Sequence, residues 1–546
     1  MKLKPLNLFS LAFILLVVGF TLHQQAGGIH RDLVLSAQKL IGLEFSAAEI
    51  DSLLPDLGEN LESFESLRKT ALENRVLPAL RFMPYPARYK PVANTTKAVF
   101  TPLPANPAAR EDYAFMTLHQ LASLVKSRKV SSETLTRYFI QRLRTYNPAL
   151  KCVIHFTEEY ALAQAKKMDA ELRAGKYRGL LHGIPYGAKD LLAKKGYPTT
   201  WGSVPFKDQV FDYDAAVITK LEEAGSILIA KMSVGELAWG DVWFGGMTRN
   251  PWDTTGGSSG SSAGSASAVG AGCLPFAIGT ETLGSIVSPS TVCGTTGLRP
   301  SFGAVPGEGC MILCPSMDKI GPITRSVEDA AIVYQHIKGT FLSGPSASPV
   351  PFPYAYNKDI RKLRIGYLKQ DFEKPYPFHV QDSLSLTVFT NAGIELIPLE
   401  LPNAPDLGII LTAEAGATFD ELTRSGRDDL MVKQIRNAWP NVFRTSRFIP
   451  AVEYIQANRF RTLLIEDMDL FFNQVDVYIA PSWAGRNLSV TNYTGHPCVV
   501  VPNGFRNGRP TSISFTGKLF HESEVLAVAK YYQDKTEWHQ KHPTGF

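Results

Sequence analysis

An α/β layered fold with a central sheet is predicted for this chain from three observations. From residue 117 onward, amphipathic segments of helical period alternate with short strand-like runs. At 546 residues, with 45% apolar and 20% charged residues, the composition is that of a globular chain with one large core or a few ordinary ones. A Gly/Ser/Ala tract at 254–272, TTGGSSGSSAGSASAVGAG, runs without a break into the apolar, β-rich CLPFAIGTETLGSIVSPS. Such tracts are usually flexible spacers. A spacer has no reason to sit inside one continuous apolar unit, so this one is placed within the fold.

Lys2 and Lys4 precede the 17-residue apolar run Leu6–Leu22, and small residues follow at Ala26–Gly28. That layout is a secretory signal, or an anchor at the lower length limit for spanning a bilayer. Residues 30–85 read as helical: Ser46 and Glu49 have capping-box spacing, and Leu57, Leu61, Phe64 and Leu67 recur at three and four residues. The stretch VANTTKAVFTPLPANPAARE reads as a crossing linker. The expected organisation is an export segment or membrane anchor (1–28), a helical segment (29–91), a linker (92–114) and a catalytic unit (115–546).

Within the catalytic unit, LHQLASLVKSRK, SSETLTRYFIQRLRTYN and EYALAQAKKMDAELRAG read as helices, and HGIPYGAK as a strand ending at Lys189. Next come a helix capped by Asp214 and stopped at Gly225, then the strand SILIA. A Pro-rich stretch at 343–354 separates this half from the strand KLRIGY, a helix and the strand IELIPLEL. A long helix, EYIQANRFRTLLIEDMDLFFNQ, precedes the strand VDVYIAP. No internal repeat is evident.

A net charge of +5 without long Lys/Arg runs gives no footprint for nucleic acid. Six cysteines make no disulfide framework here. Cys310 and Cys314 form the only close pair, and no metal-ligand spacing is present, so neither a structural metal nor a cofactor is expected.

Nucleophilic hydrolysis needs an activated hydroxyl, a base and donors for an oxyanion. Gly260–Gly264 satisfies G-x-S-x-G, with Ser262 as nucleophile. That motif requires a strand immediately before it, and TRNPWDTTGG reads as a loop. Ser285 is the better candidate, because the strand-like PFAIG leads into a tight turn at Thr280–Ser285. There the backbone N–H groups of Thr282, Leu283, Gly284 and Ser285 can face one hollow and serve as an oxyanion hole.

At these residues the chain resembles the amidase signature family. GSSAGSASA and GTETLGSIV match its two serine motifs, LHGIPYGAKDLL matches its G-I-P-x-x-x-K-D strand, and Ser261 precedes Ser285 by the family's 24 residues. Flanking matches include KGYPTTWGS, TRNPWD, CGTTGLRPSFGAV, DKIGPITRSVEDAA and TGHPCVVVPNGF. The resemblance spans roughly 115–540. It implies a mixed central sheet covered by helices on both faces, with a small helical N-terminal appendage. It implies Ser285 as nucleophile, Ser261 as relay following a cis peptide bond, and Lys189 as a base kept neutral by burial.

Three positions depart from the family pattern. Leu283 stands for a glycine beside the oxyanion hole, which reshapes the acyl pocket. Val287 stands for an arginine and Glu281 for an aspartate, so the charge pair expected from the family cannot form.

The function implied is hydrolysis of a linear small-molecule carboxamide through a Ser-Ser-Lys triad and an acyl-enzyme, without metal or cofactor. The alternatives are an A-type amidotransferase component that draws on glutamine, and an inactive scaffold on the same fold. Residues 43–67 faintly resemble the small C component of that amidotransferase, yet an exported N-terminus argues against work on a cytosolic tRNA. A homo-oligomer is left open, and membrane association through the N-terminus is expected. Expressed from Met1, the protein should therefore fractionate with membranes or outside the cytoplasm. Recovery of the full-length chain wholly in the soluble cytosolic fraction overturns this expectation.

Overall fold

The computed structural model describes residues 29–70, 72–76, 80, 82–86, 96–339 and 350–546. The run Leu6–Leu22 and residues 343–349 of the Pro-rich stretch lie outside them. Among the described residues no helix is long and apolar enough to cross a membrane.

Eleven strands form one central sheet: β1 (Val153–Phe156), β2 (Pro185–Lys189), β3 (Ile227–Met232), β4 (Ala277–Glu281), β5 (Thr296–Arg299), β6 (Lys319–Thr324), β7 (Ile365–Leu368), β8 (Leu396–Leu399), β9 (Val477–Pro481), β10 (Cys498–Arg506) and β11 (Arg509–Gly517). Their order is β1-β3-β2-β4-β6-β5-β10-β11-β9-β7-β8. The sheet is mixed: β3, β2 and β4 run parallel, as do β9, β7 and β8, and the pairs between are antiparallel. Every residue of β2, β3, β4 and β6 is buried. Side chains alternate between faces along a strand, so burial at consecutive positions requires cover on both faces. The helices supply it.

The first helices are α1 (Arg31–Ile41), α2 (Ala47–Leu67), α3 (Leu118–Lys126), α4 (Ser132–Leu150), α5 (Glu158–Arg173), α6 (Ala216–Glu223), α7 (Ala263–Gly270) and α8 (Val287–Cys293). Ser46 and Glu49 make the expected capping box, with the Ser46 N–H donating to Glu49 Oε2 at 2.7 Å. Helix does not continue through residue 85, since α2 ends at Leu67. Its stripe is not core either: Leu61, Phe64 and Leu67 are exposed.

Beyond α2 the chain attaches to the main body by side chains. Asn74 Nδ2 donates to Ile312 O and Ile312 N donates back to Asn74 Oδ1, each at 2.9 Å. Phe82 packs edge-on to Phe302, and Arg461 lies 3.5 Å over its ring. The described part of the linker is likewise packed. Val99 pairs with Ala355 in an isolated parallel bridge, and Thr101 Oγ1 donates to Glu328 at 2.8 Å.

Three local readings are corrected. Asp214 does not cap α6, whose N-cap is Ala215; its carboxylate instead accepts from Lys194 Nζ and from the Lys195 N–H. The segment after Ser285, read as β-rich, forms α8. Pro289 is tolerated there because first-turn N–H groups lack intrahelical acceptors anyway. TRNPWDTTGG is not plain loop: Arg249–Asn250 and Asp253–Gly257 pair as a small ribbon separate from the central sheet.

Candidate active site

Lys189 is the last residue of β2 and is fully buried. Its Nζ lies 2.8 Å from Ser261 Oγ, 2.8 Å from Thr280 Oγ1, 3.1 Å from Ser262 Oγ and 3.2 Å from Thr280 O. All four partners are neutral oxygens. Asp190 is no counter-ion for it: that carboxylate is 2.6 Å from Lys231 Nζ and accepts from the Thr200 N–H and hydroxyl. Burial therefore dominates and lowers the Lys189 pKa to about 7, against weaker opposing pulls from Cys310, Asp318 and Glu281. A neutral amine has two donors and one lone pair, so it can donate to two of these oxygens and accept from a third.

Ser261 follows a cis peptide bond from Gly260 and is fully buried. Gly260 is required by close approach: a Cβ there would sit 1.8 Å from Gly240 O. The small-residue tract is thus the wall of this site, with α7 following directly. Ser262, the elbow candidate, is buried as well and tied into the wall. Its hydroxyl donates to Thr280 O at 3.0 Å and accepts from the Thr280 N–H at 3.1 Å.

Ser285 differs from its two neighbours in access. It keeps 9% of its surface exposed, whereas Lys189 and Ser261 keep none. Its carbonyl accepts from the Ser262 N–H at 3.2 Å, which ties the two serine segments together. The turn leading to it passes through Gly284 at φ +89°. Among the described residues the N–H groups of Thr282, Leu283, Gly284 and Ser285 have no acceptor. The next two, Ile286 and Val287, donate to Glu281 Oε2 at 2.9 and 3.0 Å.

Glu281 has a cationic partner after all. Its Oε1 lies 2.9 Å from Arg299 Nη1, in a fully buried pair, and also accepts from Asn492 at 2.9 Å. Burial would raise this carboxyl, but Arg299 overrides it and holds the pKa at about 2. Arg299 is fixed in turn by Thr491 Oγ1 and His496 O. The pair expected from the family is absent, and one across strands takes its place. Val287 packs with Cys498 and Val500, an apolar setting in which an arginine would be unpaired.

Sequence reading also missed Asp318. Its Oδ1 accepts from the Thr282 hydroxyl at 2.6 Å, while Oδ2 accepts from the Leu313 and Cys314 N–H groups. Lys319, beside it, is lowered to about 7 by burial and by Arg299, and contacts Met317 O. Thr280 and Asp318 lie inside quoted motifs but carried no chemical signal of their own. Arg299 also lies inside a quoted motif without a signal of its own, and Asn492 reaches Glu281 from 211 residues away. Leu283 packs on the cluster containing Cys314, Met317 and Tyr493 and forms an apolar wall beside the turn. Among the described residues no group of three or more His, Cys, Asp or Glu side chains is arranged to hold a metal.

The model of the amidase family matches residues 134–490. The A component of the glutamyl-tRNA(Gln) amidotransferase of Chloroflexus aggregans is 31% identical across 79% of this chain and 98% of its own length. Among solved structures, the peptide amidase of Stenotrophomonas maltophilia is 28% identical with a TM-score of 0.69, covering 78% of this chain and 98% of that one. A structure from a vestigial protein complex tied to the origins of an s-triazine catabolic enzyme is 25% identical with a TM-score of 0.71. It covers 77% and 98% of the two chains.

Asp190 is the counter-charge that lets Lys231 stay buried, so Asp190→Asn should destabilise the protein by about 3–5 kcal/mol in denaturant titration, with Asp190→Asn/Lys231→Met recovering most of the loss. Unchanged stability of the single variant rejects this role.

Proposed function

The chain belongs to the amidase family and is an amidase-type hydrolase of carbon–nitrogen bonds; from that premise we propose that Ser285 is its nucleophile, Ser261 its proton relay and Lys189 its base in cleaving a linear carboxamide. The observation that carries this reading is the buried lysine held 2.8 Å from Ser261 with no carboxylate beside it. An amine placed so is neutral over much of the working range and accepts a proton.

In the acylation step Ser285 Oγ bonds to the amide carbon as its proton passes to Ser261, whose own proton passes to Lys189. The carbonyl oxygen, now negative, meets the unpaired N–H groups of residues 282–285. Collapse breaks the C–N bond, and the leaving nitrogen takes a proton from Ser261, which Lys189 restores. Water then bonds to the acyl carbon as one of its protons passes along the same route, and collapse breaks the acyl–Oγ bond, returning that proton through Ser261 to Ser285 Oγ as the acid leaves.

Leu283 and its apolar neighbours favour an apolar acyl group. The second reading, an A-type amidotransferase component that draws on glutamine, is supported by the amidotransferase relative. It requires groups that bind the glutamine ammonium and carboxylate, and Leu283 itself supplies neither. The apolar run Leu6–Leu22 supports placing the enzyme on a membrane or outside the cytoplasm.

Fluorophosphonate labelling tests the nucleophile: Ser285→Ala should abolish labelling and turnover, while Ser262→Ala keeps the label. Survival of the label without Ser285 refutes the assignment. A screen of apolar amides against glutamine separates the two substrate readings, with faster apolar turnover expected.

The pH profile tests the base. Below about pH 7 Lys189 is charged and cannot accept a proton, so amide turnover should rise through that value and level off above it. Lys189→Met should lose the rise and about 10²–10⁴-fold of the rate above pH 7, with a smaller loss below it, and more for an amide than for a matched ester. Lys319→Met should keep the rise, since Lys319 titrates in the same range without touching the relay. A rise that disappears with Lys319 instead would assign the profile to the wrong lysine.

A further inference from the structure

Four consecutive backbone N–H groups ahead of β6 divide among three partners. The Met311 N–H donates to Leu191 O at 2.9 Å, on the chain leaving Lys189. The Ile312 N–H donates to Asn74 Oδ1 at 2.9 Å, and the Ile312 carbonyl accepts from Asn74 Nδ2 at the same distance. The Leu313 and Cys314 N–H groups donate to Asp318 Oδ2 at 2.8 and 3.0 Å. The other oxygen of Asp318 accepts from the Thr282 hydroxyl at 2.6 Å. The N-terminal segment thus holds the middle of a run whose two sides reach the chain bearing Lys189 and the turn bearing Ser285.

The segment meets the same loop, residues 311–318, at a second point. The Arg461 guanidinium lies 3.5 Å over the Phe82 ring and donates to Ser316 Oγ and Ser316 O, each at 2.7 Å. Glu414 also holds Ser316, accepting from its N–H at 3.0 Å and its hydroxyl at 2.7 Å, so that end of the loop has support of its own. At the Ile312 end, Asn74 is the one side chain among the described residues hydrogen-bonded to the Ile312 backbone. Position matters here because an oxyanion donor works only when aimed: losing one costs about 10²–10³-fold, and a shift of about 1 Å can cost about 10²-fold. Thr282, anchored on Asp318, is the first of the four residues whose N–H groups have no acceptor among the described residues.

We propose that Asn74 is a positioning residue for the oxyanion hole, acting through the 312–314 backbone, Asp318 and the Thr282 hydroxyl. The proposal rests on the reaction assigned above, in which the N–H groups of residues 282–285 receive the carbonyl oxygen. The N-terminal segment then sets the rate of that reaction without touching the substrate.

A double-mutant cycle on the full chain tests it, with kcat for one amide expressed per active enzyme, counted by the fluorophosphonate taken up at completion. Asn74→Ala should lower kcat about fivefold, and Thr282→Val, which removes the hydroxyl and keeps the N–H, about tenfold, both at constant KM. The double variant should fall no further than Thr282→Val alone, because the first change acts through the hydroxyl that the second removes. Arg75→Ala, which breaks the exposed pair with Glu73 beside Asn74, should leave kcat unchanged. Costs that multiply to about fiftyfold in the double variant overturn the proposal, as does wild-type kcat in Asn74→Ala or an equal loss in Arg75→Ala. The label separates the two ways of failing. If Ser285→Ala still takes the label, the reaction assigned above falls and the proposal with it; if Ser285→Ala loses the label and the costs still multiply, the coupling alone is wrong.

Discussion

The site depends on keeping one amine inside the protein without a counter-charge. Two fully buried lysines occupy neighbouring parallel strands, with Ala188 opposite Lys231 and Lys189 opposite Met232. Asp190 is the first residue past β2, and its carboxylate turns away from its neighbour Lys189. There it meets Lys231. Lys189 is thus separated from the carboxylate next to it in sequence, which pairs with Lys231 instead. Lys231 is left as half of an ion pair, and Lys189 sits among hydroxyls and a carbonyl.

The turn that carries Ser285 rests on a second buried charge. Glu281 ends β4, and its carboxylate is divided between Arg299 on one oxygen and the N–H groups of Ile286 and Val287 on the other. Those two donors are thereby satisfied where α8 starts, while the four before them have no acceptor among the described residues. Asp318 secures the turn from its other side through the Thr282 hydroxyl. Replacing the family's arginine by Val287 is compatible with this arrangement because the cation arrives from β5 instead. Leu283, the other departure, joins the apolar cluster beside the turn and leaves the backbone donors unpaired.

The N-terminal segment is tied to this catalytic body by few but specific contacts. Asn74 reads the backbone of Ile312, whose neighbours Leu313 and Cys314 are held by the same Asp318 that holds Thr282. Only a short stretch of chain therefore separates the appendage from the turn that carries Ser285. The exposed apolar residues of α2 belong to the part farther from these contacts in sequence.

Much of this was legible in the residues. Helix and strand alternation, the end of β2 at Lys189 and the capping box at Ser46 are local or periodic signals, and the chain writes them consecutively; the pairing of Ser261 with Ser285 was implied by the family resemblance. Where local signals misled, a tertiary partner had overridden them. Asp214 left its cap position for Lys194, and the apolar run after Ser285 became α8 instead of strand. The tertiary structure alone decided which charges pair. Arg299 reaches Glu281 from β5 and Asn492 from the helix at Asn487–Thr494, Lys231 claims Asp190, and Asn74 finds Ile312 238 residues away. Pattern along a chain records which face a residue takes. Partnership between buried charges depends on distances that exist only once the sheet has closed, because electrostatic and hydrogen-bond energies act over a few ångströms of space and take no account of sequence separation.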